Sequence, residues 1–297
     1  MQMKNRWLFL RIVWYKIMNI FFIVCCSALL FLLLQIFCFT SFRIPSDSMM
    51  PILQNGDCVL VNKLIQGPRI FNIFVALRGE EVDIYRIPGL NTLKRNDVIV
   101  FNYPYMDKCK DSIRLDVMQY YIKRCIGLPG DTLEIRNGFY RVCGVTEQLG
   151  NIQSQEYISS LDNPREKGIP TTAFPYDRRL GWSIKEFGPL PIPKNGQTVK
   201  INPISYLLYK ELISWEQKKV LRLQKGCVLL GDSVITQYSF KKNYYFVSGD
   251  NMANSQDSRY WGMLPEEYIV GKATRIWYSE DKFTETPRWD RIMQKIK

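Results

Sequence analysis

The sequence predicts a mostly β protein that is held at a membrane by one N-terminal helix. Two observations carry this prediction. A long apolar run without any charge, residues 17–42, follows a short basic N-terminus. Many short runs of β-branched and aromatic residues, separated by turn residues, then follow it. The 297 residues suffice for one large domain or two small ones, with a sizeable core.

The apolar run is long enough to cross a bilayer. Its core, residues 17–39, is interrupted only by Asn19, Ser27 and Gln35. As a helix it would span roughly 34 Å. The preceding basic residues, with no acidic residue among them, are Lys4, Arg6, Arg11 and Lys16. The positive-inside rule therefore predicts that residues 1–16 are cytoplasmic, and that the chain after residue 42 lies outside the cytoplasmic membrane.

A cleaved signal peptide is the alternative for this segment. The apolar run exceeds the usual ~7–15-residue core of a signal peptide, and no small-x-small cleavage site follows it closely. No second apolar stretch of comparable length occurs. We therefore expect an uncleaved, single-pass anchor.

The composition limits which binding partners and which kinds of catalytic or metal site we expect. Lys and Arg number 40 against 28 Asp and Glu, a net charge of +12. The positive charge is spread along the chain rather than gathered in a block with aromatics, so we expect a lipid bilayer and no nucleic acid as the partner. The chain has no histidine, which excludes an imidazole base and the usual zinc ligands. We expect no metal and no cofactor. Of eight cysteines, five, including Cys109, follow the anchor, and we interpret most as small apolar fillers.

The strand predictions come from β-branched runs bounded by turns. The runs are 58–62, 98–101, 120–126, 244–247 and 269–277. Residues 134–142 predict a hairpin, because Asn137-Gly138 can adopt the positive φ angles of a type I′ turn. The apolar segment 71–77 is too short to span a membrane. We expect it to be a buried strand, with a lipid-contacting surface as the alternative.

The proline-rich stretch 145–240 is less regular, and we interpret it as an α/β insertion or second subdomain. It divides the catalytic β core into a first part, 40–144, and a return segment, 241–297. One helix is predicted inside it by an apolar stripe near the 3.6-residue period: Ile204, Leu207, Leu208, Leu212 and Trp215.

Ser48 is the candidate nucleophile. It lies a few residues beyond the anchor, in a segment 46–51 that reads Ser-Asp-Ser-Met-Met-Pro. Without histidine its base must be another group, and Lys123 in Tyr-Ile-Lys-Arg is the leading candidate. A lysine of pKa ~10.4 is protonated at neutral pH, but burial disfavours the ammonium form. A drop of about three units corresponds to roughly 4 kcal/mol. Met49, Tyr121 and Ile122 could supply the apolar surroundings.

Three further motifs follow Ser48 in order. Residues 56–63 read Gly-Asp-Cys-Val-Leu-Val-Asn-Lys, residues 121–131 Tyr-Ile-Lys-Arg-Cys-Ile-Gly-Leu-Pro-Gly-Asp, and residues 249–262 Gly-Asp-Asn-Met-Ala-Asn-Ser-Gln-Asp-Ser-Arg-Tyr-Trp-Gly. With the anchor, their order closely resembles bacterial type I signal peptidases. The resemblance implies the coiled β-sheet core of that family and cleavage of signal peptides from exported preproteins, with small side chains at the first and third positions before the cut.

The resemblance also assigns roles to individual residues. It makes Ser48 the nucleophile and Lys123 the general base, with the Ser46 hydroxyl and the Ser48 backbone N–H as the oxyanion hole. Ser255 would support the lysine, and Asp257 and Arg259 would brace the site. The positions that match the substrate pockets are Phe42, Ile44, Pro45, Met49, Leu53 and Ile122, and we add the neighbouring Tyr121.

Two positions depart from the family's motifs. Met252 and Ala253 stand where Arg-Asp is usual, so a structural ion pair is lost, and we expect a working enzyme with local repacking. Asp47 stands where glycine is frequent; we expect it to point outward, because an inward carboxylate would resist the lowering of the lysine pKa.

Two rival functions remain at this point. A self-cleaving, repressor-type Ser/Lys protease would share the dyad, but the anchor argues against it. A membrane-tethered scaffold that binds signal peptides without cleaving them would explain the altered 252–253 pair, but the intact Ser48, Lys123 and Ser255 argue against it.

Overall fold

The computed structural model describes residues 2–105 and 112–297, and the predicted mostly β class is confirmed. Residues 106–111, with Cys109, and the side chains of Lys4 and Arg6 lie outside the described part.

The helices and strands follow one another along the chain with short connections. The helices are α1 Gln2–Phe37, α2 Ile73–Leu77, α3 Ile152–Ser160, α4 Pro203–Gln217 and α5 Ser258–Trp261. The strands of the first half are β1 Phe39–Arg43, β2 Asp57–Asn62, β3 Arg69–Ile70, β4 Tyr85–Arg86, β5 Val98–Asn102, β6 Tyr120–Gly127, β7 Thr132–Arg136 and β8 Phe139–Val142. Those of the second half are β9 Phe187–Pro191, β10 Thr198–Lys200, β11 Leu221–Gln224, β12 Cys227–Leu230, β13 Ser233–Val234, β14 Gln237–Ser239, β15 Tyr244–Ser248, β16 Leu264–Pro265 and β17 Ile269–Ser279.

A seven-stranded antiparallel sheet positions the site. Its strand order is β1-β2-β17-β5-β6-β15-β16, so the predicted strands around residues 58, 98, 120, 244 and 269 all belong to it. Strand β6 lies between β5 and β15, with Ile99 opposite Lys123 and Ser248 opposite Arg124. The centre of the sheet therefore presents Lys123 next to the loop that follows β15.

The predicted hairpin and the predicted helix are both present. Strands β7 and β8 are joined at Asn137 and Gly138, whose φ angles are 48° and 84°, as a type I′ turn requires. Helix α4 begins at a capping box formed by Asn202 and Ser205. Strand β9, from the stretch 145–240, pairs with β7 of the first part. The proposed boundaries at 145 and 240 remain predictions.

The N-terminal helix α1 is long and apolar enough to cross a membrane over Arg11–Phe37. It ends two residues before the predicted limit of the anchor, because Phe39 already pairs with Asn62 in the sheet. Lys63, just after β2, donates hydrogen bonds from Nζ to the carbonyls of Gln35 at 2.7 Å and Ile36 at 3.2 Å. These bonds cap the end of the helix and tie it to the sheet.

The expectation of a buried strand at 71–77 is wrong. Residues Ile73–Leu77 form a helix of little more than one turn, capped by the Asn72 side chain. Only Ala76 of this helix is buried, and Phe74 is 74% exposed. A capped turn with one inward methyl group thus replaces the strand that the apolar run favoured.

Two apolar clusters form the core. The larger one joins the main sheet to the hairpin and to α4. The smaller one lies under β1, β2 and β17 and contains Ile44, Met49, Leu53 and Ile122. The loop that carries Ser48 is anchored in the smaller cluster by Met49 and Leu53, both fully buried.

Candidate active site

Ser48 lies in the loop between β1 and β2, and the loop after β15 fixes its main chain. The Asn251 N–H donates to the Ser48 carbonyl at 3.1 Å, and Asn251 Nδ2 donates to the Asp47 carbonyl at 3.2 Å. Ser48 is 7% exposed. The Asp47 side chain is exposed, as expected, so its carboxylate points away from the buried lysine.

Lys123 lies directly beside this serine. Its Nζ is 2.6 Å from Ser48 Oγ, within hydrogen-bond distance, and the lysine is only 2% exposed. The Tyr121 ring covers one side of the amine, with Nζ 5.7 Å from the ring centroid. Strand β6 carries both residues at alternate positions, so they point to the same face of the sheet. The two side chains that the sequence pairs are therefore in hydrogen-bond contact.

Burial lowers the pKa of Lys123 to about 8, because an ammonium group loses its hydration inside the protein. The Asp257 carboxylate opposes this by raising the pKa, and the Arg259 guanidinium lowers it further. At pH 7 about a tenth of the lysines would then be neutral, against less than a thousandth for a solvated lysine. A neutral amine can accept the proton of Ser48.

Ser46 places a second hydroxyl near the nucleophile. Its Oγ is 3.4 Å from Ser48 Oγ, at the long limit of a hydrogen bond in which either atom can donate. The residue is exposed and its side chain faces the same cleft as Ser48. It is therefore available to a substrate carbonyl.

Ser255 lines the cleft with Lys123, but no hydrogen bond joins its hydroxyl to the amine. Its Oγ is buried and makes no hydrogen bond of normal geometry, although it is close enough to Asp257 to help lower the pKa of that carboxyl. A Cβ on Gly249 would lie 2.3 Å from Ser255 Oγ and 2.5 Å from the Ser48 carbonyl oxygen. Only glycine allows this approach between the nucleophile loop and Ser255.

Asp257 and Arg259 form a fully buried ion pair beside Ser255. Arg259 donates to both carboxylate oxygens at 2.8 Å, and its Nη2 also donates to the Met252 carbonyl at 2.9 Å. The Gly249 N–H donates to Asp257 at 3.0 Å. Burial raises the pKa of Asp257, but the Arg259 charge and these hydrogen bonds lower it by more, so the carboxyl is ionised.

A hydrogen-bonded chain extends from Asp257 to the hairpin. The Ser248 hydroxyl donates to Asp257 Oδ2 at 3.2 Å and is 2.6 Å from the Tyr140 hydroxyl. No sequence pattern marks the bond between Tyr140 and Ser248, because the two residues are 108 positions apart.

Arg124, the residue after Lys123, forms a buried ion pair. Its guanidinium donates to both oxygens of Asp250, at 2.6 and 2.7 Å, and to the Asn96 carbonyl at 2.6 Å. Both charged groups are almost fully buried. The pair joins β6, next to Lys123, to the loop after β15, whose Asn251 binds the Ser48 carbonyl.

A cleft of about 360 Å³ opens over the dyad. It is lined by Ser46, Ser48, Tyr121, Lys123, Gly168, Pro170, Ala253, Asn254, Ser255, Gln256 and Tyr260. Gly168 and Pro170 come from the stretch 145–240 and were not predicted. The Tyr260 hydroxyl donates to the Pro170 carbonyl at 3.2 Å, which holds this segment at the cleft.

The predicted pocket residues occupy different environments. Tyr121 lines the cleft, whereas four others are buried in the smaller core cluster: Ile44, Met49, Leu53 and Ile122. Phe42 is half-buried, with its ring centroid 4.7 Å from that of Tyr120, and Pro45 is exposed. Their role in substrate binding remains a prediction.

Comparisons with known proteins agree over most of the chain. A family model described as signal peptidase, peptidase S26, matches residues 14–278. The signal peptidase I of Buchnera aphidicola subsp. Schizaphis graminum is 31% identical over 264 residues, covering 88% of this chain and 75% of that protein. The signal peptidase I of Pseudomonas aeruginosa is 28% identical over 273 residues, covering 88% and 73%, and that of Aquifex aeolicus 28% over 247 residues, covering 83% and 78%.

Proposed function

Because this chain belongs to the S26 family of signal peptidases, we propose that Ser48 and Lys123 are the catalytic dyad of a membrane-anchored endopeptidase that cleaves signal peptides from exported preproteins. Members of the family are serine endopeptidases that cleave signal peptides, and the chain is such a hydrolase. One observation carries the assignment of the dyad: the contact of 2.6 Å between Lys123 Nζ and Ser48 Oγ in surroundings that disfavour the ammonium.

The reaction begins when neutral Lys123 accepts the Ser48 proton. Ser48 Oγ then forms a bond to the scissile carbonyl carbon, and the carbonyl oxygen becomes an oxyanion. The Ser46 hydroxyl and the Ser48 N–H stabilise that charge, each by roughly 3 kcal/mol. The C–N bond breaks as Lys123 gives its proton to the leaving amine. Neutral Lys123 then takes a proton from a water molecule, whose oxygen forms a bond to the acyl carbon. The bond between that carbon and Ser48 Oγ breaks as Lys123 gives the proton to Oγ, which restores the free serine and the neutral lysine.

The residues around the dyad keep the lysine neutral and in place. Asp257 by itself would raise the pKa of Lys123 and so favour the ammonium form. Arg259 offsets this effect, because it binds both oxygens of the carboxylate and carries the opposite charge. Ser255 lies in the same wall of the cleft with an uncommitted hydroxyl. We propose that it accepts a hydrogen bond from Lys123 or donates one to it once Ser48 is acylated and no longer contacts the amine.

The substrate would be a preprotein with small residues at the first and third positions before the cut. The buried positions of Ile44, Met49 and Leu53 support shallow pockets, because these side chains fill the space under the Ser48 loop. A large substrate side chain would find that space occupied.

The membrane attachment is the second part of the proposal. Helix α1 would cross the inner membrane with its N-terminus in the cytoplasm and the β core on the outer side. The apolar window of α1 is exposed to its surroundings, and Lys63 ties the end of the helix to β2. The anchor would hold the dyad where cleavage sites emerge and so raise their effective concentration.

Cleavage of a preprotein in detergent tests the dyad. We expect wild type and the exposed-lysine control Lys94→Ala to cleave, and Ser48→Ala and Lys123→Ala to be inactive. The dyad is wrong if both site variants cleave as fast as wild type. Wild type that cleaves none of several preproteins, but folds normally, would favour a scaffold that binds signal peptides.

A further inference from the structure

A short turn connects the residue that holds the nucleophile to Ser255. This active-site turn, Met252–Asn254, follows Asn251, whose N–H binds the Ser48 carbonyl, and ends at Ser255. Any displacement of the turn would therefore move both the backbone support of Ser48 and the wall of the cleft beside Lys123.

The turn is held through the main chain of Met252. The Met252 N–H donates to Ser154 Oγ at 2.7 Å, and the Met252 carbonyl accepts from Arg259 Nη2 at 2.9 Å. The Met252 side chain is buried in the larger core cluster and supplies no polar group. These two main-chain bonds therefore fix the turn between α3 and Arg259.

Ser154 is itself firmly placed. It lies in the first turn of α3, where the Asn151 side chain caps its N–H at 3.3 Å. The next residue, Gln155, is buried, accepts from the Tyr140 N–H at 2.8 Å and donates to the Leu149 carbonyl at 2.7 Å. These bonds fix α3 to the hairpin, so the Ser154 hydroxyl meets the turn from a rigid support.

We propose that Ser154 is a positioning residue for the dyad: its hydroxyl holds the active-site turn so that Asn251 and Ser255 stay aligned with Ser48 and Lys123. This inference rests on the proposed function. Helix α3, from the stretch 145–240, would then contribute to catalysis indirectly, since no residue of α3 lines the cleft over the dyad.

The test compares three variants of the full chain in detergent. Ser154→Ala leaves the Met252 N–H without its acceptor, and we expect kcat for a preprotein to fall roughly tenfold with a smaller change in KM. Ser154→Thr keeps the hydroxyl and should restore at least half of the rate. Ser160→Ala, the same substitution at an exposed position of the same helix, should match wild type.

A second readout separates this inference from the proposed function. The burst of p-nitrophenol from p-nitrophenyl acetate reports acylation of Ser48 without a preprotein. We expect Ser154→Ala to slow the burst and Ser154→Thr to restore it. If wild type shows the burst but cleaves no preprotein, the proposed function fails, and the burst rates still test Ser154.

Three results would overturn the role of Ser154. The first is a wild-type burst and kcat in Ser154→Ala. The second is an equal loss in Ser160→Ala, and the third is an equal loss in Ser154→Thr. If Ser154→Ala does not fold, Ser154→Cys replaces it, because a thiol of similar size is a weaker acceptor; wild-type rates in that variant also refute the proposal.

Discussion

Replacing Lys123 by methionine should abolish cleavage and yet stabilise the fold. Methionine has a similar length and no charge, so it removes the buried ammonium without leaving a large cavity. The pKa of Lys123 falls from 10.5 to about 8 on folding, because burial disfavours the charge. At about 1.4 kcal/mol per pKa unit, the charged lysine lowers the free energy of unfolding of wild type by about 3 kcal/mol below pH 8, compared with a neutral side chain at the same position. Loss of the hydrogen bond to Ser48 offsets about 1 kcal/mol, so the net gain is about 2 kcal/mol at pH 7.

The pH dependence of this gain has a definite sign. Between pH 8 and 10.5 the unfolded chain binds more protons at Lys123 than the folded chain, so wild type becomes more stable as pH rises through this window. Lys123→Met lacks that contribution. Its advantage over wild type should therefore be full below pH 8 and vanish as pH approaches 10.5.

Urea unfolding followed by tryptophan fluorescence, in detergent at pH 7 and pH 9.5, measures this difference. The control is Lys94→Met, which removes an exposed lysine and should match wild type at both pH values. The reasoning is refuted if Lys123→Met is less stable than wild type at pH 7, or if its advantage does not shrink at pH 9.5. Retained cleavage activity in Lys123→Met would refute the assignment of the base.

Two further predictions concern the support of the dyad. Arg124→Met leaves the buried Asp250 carboxylate without its partner and should cost about 3–5 kcal/mol in urea unfolding; adding Asp250→Asn should recover part of the loss, and a cost under about 1 kcal/mol for the single variant would contradict the pairing. Gly249→Ala places a Cβ against Ser255 Oγ and the Ser48 carbonyl and should lower kcat at least tenfold. In Gly144→Ala the Cβ meets open space, although the φ of 75° is strained for alanine, so stability should fall somewhat while kcat stays at the wild-type value. Equal kcat values in the two variants would contradict the close approach at Gly249.

Much of the fold could be predicted from local sequence. The strands of the main sheet are β-branched runs between turns, and the hairpin is marked by Asn137-Gly138, where a positive φ is needed twice. The apolar stripe of α4 has a helical period, so it also appears in the sequence. The prediction of a strand at 71–77 failed because its few apolar residues fit a strand or a helix equally well. The Asn72 side chain caps the segment as a helix.

The candidate site was likewise predictable from the sequence only in part. Ser48 and Lys123 are 75 positions apart, and they could be paired only because the chain has no histidine and its motifs resemble a known family. The hydrogen bonds made by Ser154, Tyr140 and Pro170 have no local sequence pattern, because each joins segments that are brought together only in the folded protein. The support of Lys123 by Ser255 remains a prediction, since the Ser255 hydroxyl makes no hydrogen bond of normal geometry in the structure.

The central claim is that buried Lys123, neutral at the moment of attack, deprotonates Ser48. The pH dependence of kcat/KM for preprotein cleavage tests it most directly, because this quantity reports the pKa of the base in the free enzyme. Since burial lowers the pKa of Lys123 to about 8, activity should rise with pH along an acidic limb centred near pH 8 and reach a plateau above it. A limb centred near pH 10, as for a solvated lysine, would contradict the account.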